Sequence, residues 1–265
     1  MPTLDELRPE YEQLFSSCVI NRSKFTEIDT ISNKIISGQT IYESIGKPLH
    51  IPWYFIGILH TMECNLSFNK HLHNGDPLTA RTSHVPKGRP RTGNPPFSFE
   101  DSAKDALILE GFDSVTDWSI PGQLYLFEKY NGFGYRRKSI RIPSPYLWSY
   151  SNHYRKGKYA SDGKYDPELV SMQPGTASIL RRLAEKQVIS FADQQLNRNK
   201  AIRQLGKQVK YAPRSVNEAA HRLQVLLNEV GFPLLRDGKA GEKTSNAFKQ
   251  FSGKYLPGDP RQIKP

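Results

Sequence analysis

Apolar side chains in the first part of the chain recur at intervals of three and four residues, the spacing of one face of an α-helix. Leu14, Val19 and Ile20 belong to a first series. A second series holds five more apolar residues: Phe25, Ile28, Ile31, Ile35 and Ile36. The segment Gly46-Lys47-Pro48 carries residues that interrupt helices. The sequence therefore predicts helical structure over residues 4–45.

A further helix is predicted from Pro52 to about Glu63. Proline suits the first turn of a helix, and the residues from Trp53 to Leu59 form a dense apolar run that favours burial. Residues 64–97 instead hold many Asn, Gly, Pro, Thr and His residues and no long apolar repeat. This composition predicts a hairpin or an extended loop.

Three more helices follow from the same criteria. Ser98 is predicted to cap a helix that ends near Gly111, a second runs from about Ile120 to Tyr130, and a third runs from Gly175 to about Gln187. The intervening segment is rich in aromatic residues. We therefore predict a mainly α fold with a small hairpin region, in which residues 1–186 form one domain.

The last part of the chain has a different pattern. Residues 187–213 are polar and charged, which predicts a linker, and residues 214–265 are predicted to form a separate small domain. Two helical apolar series occur there, one ending near Gly231 and one running from Thr244 to Phe251. Asp237-Gly238, between them, has the composition of a tight turn.

This C-terminal segment resembles the small three-helix peptidoglycan-binding domain found on many cell-wall hydrolases. Three separated pieces occur in the family's order: Leu223-Gln224-x-x-Leu227-Asn228-x-x-Gly231-Phe232, Asp237-Gly238-x-x-Gly241-x-x-Thr244, and Ala247-x-x-x-Phe251. The resemblance implies that Leu227, Asp237, Gly238 and Gly241 belong to a wall-binding module. Ser252 departs from the family pattern, which has Gln there.

Composition narrows the possible partners. The chain has 265 residues, a net charge of +11 and a mean hydropathy of −0.60, which fits a folded protein with a polyanionic partner. No apolar run approaches the roughly 20 residues of a membrane span, and the start of the chain lacks a signal-peptide pattern. We expect a monomer made in the cytoplasm that reaches the cell wall by holin-type or other release.

The helix ending at Glu63 and the loop after it have a layout suited to cleaving a glycosidic bond. A carboxylic acid sheltered by a helix keeps its proton, and a carboxylate in a polar loop stays ionised. Residues 53–82 and 128–135 also resemble the lysozyme superfamily in three pieces: the apolar helix ending in Glu63, Asp76 followed by Thr82, and the Tyr130-Asn131 segment leading to Tyr135. The resemblance implies a lysozyme-like α+β catalytic domain.

The roles that follow are a general acid at Glu63, a base at Asp76, and a water-positioning hydroxyl at Thr82. His60, His73, Tyr130, Asn131 and Tyr135 are candidates for contacts with the sugar. The separation of Glu63 and Asp76 is longer than in phage-type lysozymes, so Asp101 and Glu128 are rival second carboxylates. His60 has the alternative role of a satisfied core histidine.

A zinc site is the alternative for the histidines at positions 71, 73 and 84, and a zinc amidase would also act on the wall. The spacing lacks the His-Glu-x-x-His pattern, and we predict neither a metal nor another cofactor. Cys18 and Cys64, the two cysteines, are too few for a disulfide scaffold.

The sequence thus predicts a peptidoglycan glycan-strand hydrolase of the muramidase type. A lytic transglycosylase that uses Glu63 as its sole acid and base is a close alternative. A non-catalytic wall-binding protein is another. Charge alone motivates a nucleic-acid-binding role, and we expect no specific nucleic-acid partner.

Overall fold

The computed structural model describes residues 1–161, 163–189 and 192–262 of the chain. It divides into two compact units, Met1–Ile189 and Ser190–Pro265. The described residues form eleven α-helices and one two-stranded sheet, so the predicted mainly α class is confirmed. Residues 190 and 191 of the predicted linker, and residues 263–265 of the predicted C-terminal domain, lie outside the described residues.

The first unit contains eight of these helices. In chain order they are α1 (Leu4–Ser16), α2 (Phe25–Ser37), α3 (Gln39–Leu49), α4 (Trp53–Cys64), α5 (Phe99–Leu109), α6 (Ile120–Asn131), α7 (Pro145–Trp148) and α8 (Thr176–Glu185). Helix α1 packs on α6, α3 packs on α4, and α8 contacts α2, α4 and α7. The aromatic-rich segment supplies the sheet, a hairpin of β1 (Lys158–Ser161) and β2 (Lys164–Asp166).

Helix α4 lies at the centre of the first unit. Phe55, Ile56, Ile58 and Leu59 are all buried, as expected for a helix that is apolar on nearly every side. Gly57 lets neighbouring helices approach, since a side chain there would press on Ile35 of α2 and Tyr42 of α3. Because neighbouring helices pack on α4 from several sides, the position of its last turn is well fixed. That turn carries the predicted acid.

The helix predictions for the first unit agree with the structure in most places. Ser98 caps α5 by accepting a hydrogen bond from the backbone of Asp101. The segment 4–45, predicted to be helical, contributes to three helices, α1, α2 and α3. Gly46 does not end α3. It lies inside that helix, where a Cβ would collide with the carbonyl oxygen of Ile51.

For residues 64–97 the sequence predicts a hairpin or an extended loop, and the structure has the loop. Residues 65–97 contain no named helix or strand, only an isolated bridge between Lys70 and Pro77. The strands instead lie at Lys158–Ser161 and Lys164–Asp166, where a register shift interrupts the ladder. Such short strands leave little periodic signal in a sequence.

The second unit consists of α9 (Ala192–Gln208), α10 (Glu218–Glu229) and α11 (Glu242–Ser252). Its core includes Leu223 and Leu227 from α10, Phe248 from α11, and Ile202 from α9. Helix α9 occupies most of the segment predicted to be a linker, which corrects that prediction. The physical reason is that a few apolar positions, Ile202 foremost, are enough to bury an otherwise polar helix against its neighbours.

Among the described residues, no helix has both the length and the apolar character needed to cross a membrane.

Candidate active site

Glu63 lies in the last turn of α4, one residue before the helix ends. The helix stops because Asn65 and Leu66 adopt left-handed backbone conformations. The negative end of the helix dipole lies at this terminus, and it disfavours the ionised form of a carboxyl group. The C-terminal end of α4 is therefore a place that favours the protonated form of Glu63.

The electrostatic surroundings of Glu63 act in the same direction. The side chain is half-buried, and burial raises its pKa to about 7. A hydrogen bond from the Tyr146 hydroxyl to Oε1, at 3.1 Å, opposes this rise, and the charge of Glu110 adds to it. No ion pair within residues 1–161, 163–189 and 192–262 includes Glu63. At about neutral pH, both the acid and the carboxylate are therefore populated.

A cavity of about 500 Å³ opens beside Tyr146. Its walls come from Met62, from residues 131–135 at the end of α6 and beyond, from Arg137, from the start of α7, from the hairpin, and from Ser171 and Gln173. This volume is in the range of small-ligand sites. Because Tyr146 both lines the cavity and binds Glu63, one side chain joins the acid to the cavity.

The three substrate residues predicted at and just after the end of α6 lie at or near this site. Asn131 and Tyr135 line the cavity. The Tyr135 ring meets the Tyr159 ring edge-on, with centroids 5.1 Å apart. Tyr130 lies close to Glu63. Burial and, after it, the negative charge of Glu63 raise the pKa of the Tyr130 hydroxyl. The structure thus brings these residues and Glu63 into one neighbourhood.

Asp76 is buried in the loop that follows α4. Its Oδ2 accepts hydrogen bonds from the backbone nitrogens of Ser83, at 2.7 Å, and His84, at 3.0 Å. Its Oδ1 lies 2.6 Å from Nδ1 of His84. These contacts, with the His84 backbone first, hold the pKa of Asp76 well below its usual range. The carboxylate stays ionised, and both of its oxygens are engaged within the loop.

Thr82 is engaged in the same loop. Its hydroxyl donates to the carbonyl oxygen of Pro86 at 2.5 Å and accepts from the backbone nitrogen of Arg89 at 2.9 Å. The side chain is buried. The Thr82 hydroxyl therefore already donates its hydrogen and accepts a bond from the backbone. Buried and engaged in this way, it is not free to position a water molecule as predicted.

His60 belongs to the core. It has no exposed surface, its Nδ1 lies 2.9 Å from the Tyr42 hydroxyl, and its ring packs between Phe68 and Phe99. Burial lowers its pKa to about 4, so the ring is neutral at physiological pH. This burial contradicts the predicted contact with substrate and matches the alternative of a core histidine.

The remaining loop histidines each have a separate partner. Nε2 of His73 lies 2.8 Å from Asp105, and the His73 side chain has no exposed surface, which contradicts its predicted contact with substrate. His71 is held between Ser102 and the carbonyl oxygen of Ala80. In the part of the chain that the structure describes, no three His, Cys, Asp or Glu residues converge as a metal site.

The two rival carboxylates are also engaged in contacts within the fold. Asp101 lies in the first turn of α5, where it accepts a hydrogen bond from the Ser98 hydroxyl at 2.7 Å. Glu128 is buried and pairs with Arg136 at 2.8 Å, and it accepts a hydrogen bond from the Tyr11 hydroxyl at 2.6 Å. Both groups are engaged in contacts within the fold, and neither has a contact, like that of Glu63 with Tyr146, to a described residue that lines the cavity.

The motif residues of the second unit shape its interior. Leu227 is fully buried, and Gly238 has a left-handed backbone with φ of +70°. The backbone nitrogen of Gly238 donates to Oε1 of Gln224 at 2.9 Å, and Nε2 of Gln224 donates to Asp237 at 2.9 Å. Gly241 caps α11. Gln224 therefore ties α10 to the turn, a role that the sequence analysis did not assign.

Tyr146 is the main site residue that sequence reasoning missed. The sequence places it in the aromatic-rich segment, but nothing local connects it with Glu63, 83 residues earlier.

Comparisons of the chain with family models, with curated proteins and with solved structures find no match. The function must therefore be inferred from the chemistry of the site.

Proposed function

We propose that the first unit cleaves glycosidic bonds in the glycan strands of peptidoglycan, with Glu63 as the general acid. One observation carries this proposal: a half-buried carboxyl group with a pKa raised to about 7 accepts a hydrogen bond from Tyr146, and Tyr146 lines a cavity together with two other tyrosines. Aromatic faces and polar tips suit sugar rings. The resemblance of both units to wall-degrading proteins, noted above, points to the same polymer.

The proposed chemistry starts from the leaving group. A glycosidic oxygen leaves only if it is protonated as the bond breaks, and an acid with a pKa near the working pH is the most effective donor. Tyr146 occupies Oε1 of Glu63. The proton to be transferred then resides on Oε2, for which the described residues provide no hydrogen-bond partner.

Two fates of the resulting sugar cation distinguish the candidate enzymes. In a hydrolase of the muramidase type, a second carboxylate guides a water molecule to the anomeric carbon, and Asp76 is the candidate. In a lytic transglycosylase, Glu63 alone acts as acid and then as base. Both Asp76 oxygens are engaged within the loop, and this favours the second fate. A lytic transglycosylase is therefore the second candidate.

The decisive experiment uses purified sacculi and the full chain. We expect Glu63→Gln to abolish release of soluble fragments, because the glutamine amide is not an acid and cannot protonate the leaving oxygen, while binding to sacculi persists. Asp113→Asn, which removes an exposed carboxylate from the same unit, is the matched control and should retain full activity. Retained activity in Glu63→Gln would refute the assignment of the acid.

Product analysis then separates the two enzymes. A transglycosylase leaves anhydro-muramic ends, whereas a hydrolase leaves reducing ends, and mass spectrometry tells them apart. We expect Asp76→Asn to be nearly silent in a transglycosylase and severe in a hydrolase. The product itself decides the matter if this substitution disturbs the loop.

The second unit is proposed to hold the enzyme on the wall. Its motif residues build the fold of the module, so binding depends on the module as a whole. Sedimentation of the full chain with sacculi tests this. Binding without any release of fragments, by the wild-type protein, would instead support a non-catalytic wall-binding protein.

A further inference from the structure

The cavity beside Tyr146 has a charged side that the proposed chemistry does not use. Arg137 and Lys158 both line it, and the described lining residues include no Asp or Glu. Glu63, the proposed acid, is not among the described lining residues and is joined to the cavity by its hydrogen bond with Tyr146. Among the lining residues that the structure describes, two are thus cationic and none is a carboxylate.

Arg137 differs from its neighbour in the chain. Arg136 is tied to Glu128 by an ion pair of 2.8 Å and contributes to the interior of the fold. Arg137 is exposed and takes part in none of the ion pairs among residues 1–161, 163–189 and 192–262. Its guanidinium group is thus available to an anion in the cavity.

Lys158 shows the same contrast within its own segment. Lys156 pairs with Glu168 at 2.7 Å. Lys158, two residues later at the start of β1, is half-buried and forms no ion pair with any residue for which the structure gives a position. A half-buried ammonium group interacts more strongly with an anion than a fully solvated one, since water screens it less.

The rest of the cavity wall is neutral and suits a sugar. Tyr135 and Tyr159 offer aromatic surface, and Asn131 and Gln173 offer amide donors and acceptors. An aromatic wall with amide groups and two cations that have no ion partner among the described residues fits a sugar that carries an anionic substituent. The planar guanidinium group of Arg137 matches the geometry of a carboxylate in particular.

We propose that Arg137 and Lys158 bind a carboxylate of the substrate, so that the site selects anionic amino-sugar strands over neutral ones. This inference rests on the proposed function and adds a specificity determinant to it. Two carboxylates of peptidoglycan share the required chemistry. One is the lactyl carboxylate of muramic acid, which is free in strands without peptides, and the other belongs to the stem peptide.

The test compares three substrates: intact peptidoglycan strands, strands stripped of their peptides, and neutral chitooligosaccharides. The test variant is Arg137→Gln/Lys158→Gln. The matched control is Lys138→Gln/Lys164→Gln, which removes two exposed charges from the same segments at positions outside the described cavity lining. All are made in the full chain, and kcat/KM is measured for each.

We expect the test variant to lose about tenfold in kcat/KM on anionic strands, since each partly exposed ionic contact contributes about threefold. Its activity on chitooligosaccharides should not change. A loss confined to stripped strands identifies the lactyl carboxylate, and a loss confined to intact strands identifies the stem peptide. An equal loss on neutral sugars, no loss at all, or a similar loss in the control would overturn the inference.

A binding measurement keeps this inference separate from the proposed reaction. The labelled full chain is titrated with N-acetylmuramic acid, a muramoyl dipeptide and neutral di-N-acetylchitobiose, and binding is followed by nuclear magnetic resonance. We expect the two anionic probes to bind more tightly than the neutral one. This preference should disappear in the test variant and weaken as salt is added. If the wild type cleaves nothing yet shows this preference, the proposed reaction fails and the carboxylate site stands. If it binds neutral and anionic probes equally, the carboxylate site fails.

Discussion

The burial of Glu63 predicts a pH-dependent weakness in the first unit that does not depend on any catalytic activity. Its pKa rises from an ordinary value of 4.5 to about 7 on folding. Between these two values the native state binds more protons than the unfolded state, so stability falls as the pH rises through this interval. Above about pH 7 the full penalty applies, because the folded protein then holds a half-buried charge.

The size of the penalty follows from the shift. A change from 4.5 to about 7 corresponds to about 3 kcal/mol at about 1.4 kcal/mol per unit, and partial exposure makes this an upper limit. In Glu63→Gln the charge never forms, and the glutamine oxygen still accepts the bond from Tyr146. We therefore expect this variant to be more stable than the wild type at pH 8 by up to about 3 kcal/mol. Near pH 4 the difference should vanish.

Tryptophan fluorescence during urea denaturation measures this difference in the first unit alone. All three tryptophans of the chain, Trp53, Trp118 and Trp148, belong to residues 1–189. Buried histidines such as His60 also titrate, but they are common to both proteins and cancel in the comparison. Asp113→Asn serves as the exposed-carboxylate control and should follow the wild type. Identical pH profiles for wild type and Glu63→Gln between pH 4.5 and 8 would refute the reasoning.

Three further predictions follow from individual contacts. Tyr146→Phe removes the hydrogen bond that lowers the pKa of Glu63, so the pKa of Glu63 should rise by about one unit. Carbon NMR of the carboxyl group measures this pKa, and an unchanged or lower value would contradict the prediction. Arg136→Gln leaves the buried Glu128 without its ion partner and should destabilise the first unit by about 3 kcal/mol in urea denaturation, whereas the exposed Arg137→Gln should cost little. Gln224→Leu deprives the Asp237-Gly238 turn of its link to α10 and should cost the second unit about 2 kcal/mol, seen as a lower Tm by calorimetry, and an unchanged Tm would count against this role.

Local patterns were enough for most of the helices. The apolar run from Trp53 to Leu59 and the cap at Ser98 predicted α4 and α5 near their observed bounds. The Asp237-Gly238 turn was likewise visible, because only a few residue types tolerate its left-handed backbone. These features depend on neighbours a few positions apart in the chain.

Errors arose where the deciding contact comes from outside the local segment. Helix α9 looked like a linker because its sequence is polar, and only the burial of Ile202 against the other helices of its unit shows otherwise. His60 lies one turn before the acid, yet packing against Phe68 and Phe99 puts it in the core.

The sequence by itself determined the mainly α character of the chain, the position of Glu63 at the end of an apolar helix, and the turn of the second unit. Tertiary structure alone decided that Tyr146 hydrogen-bonds Glu63, that Asp76 is held by Ser83 and His84, and that Arg137 shares a cavity with tyrosines. The physical reason is one of range. Backbone conformation follows from nearby residues, whereas a pKa or a binding cavity depends on which distant groups the completed fold brings together and shields from water.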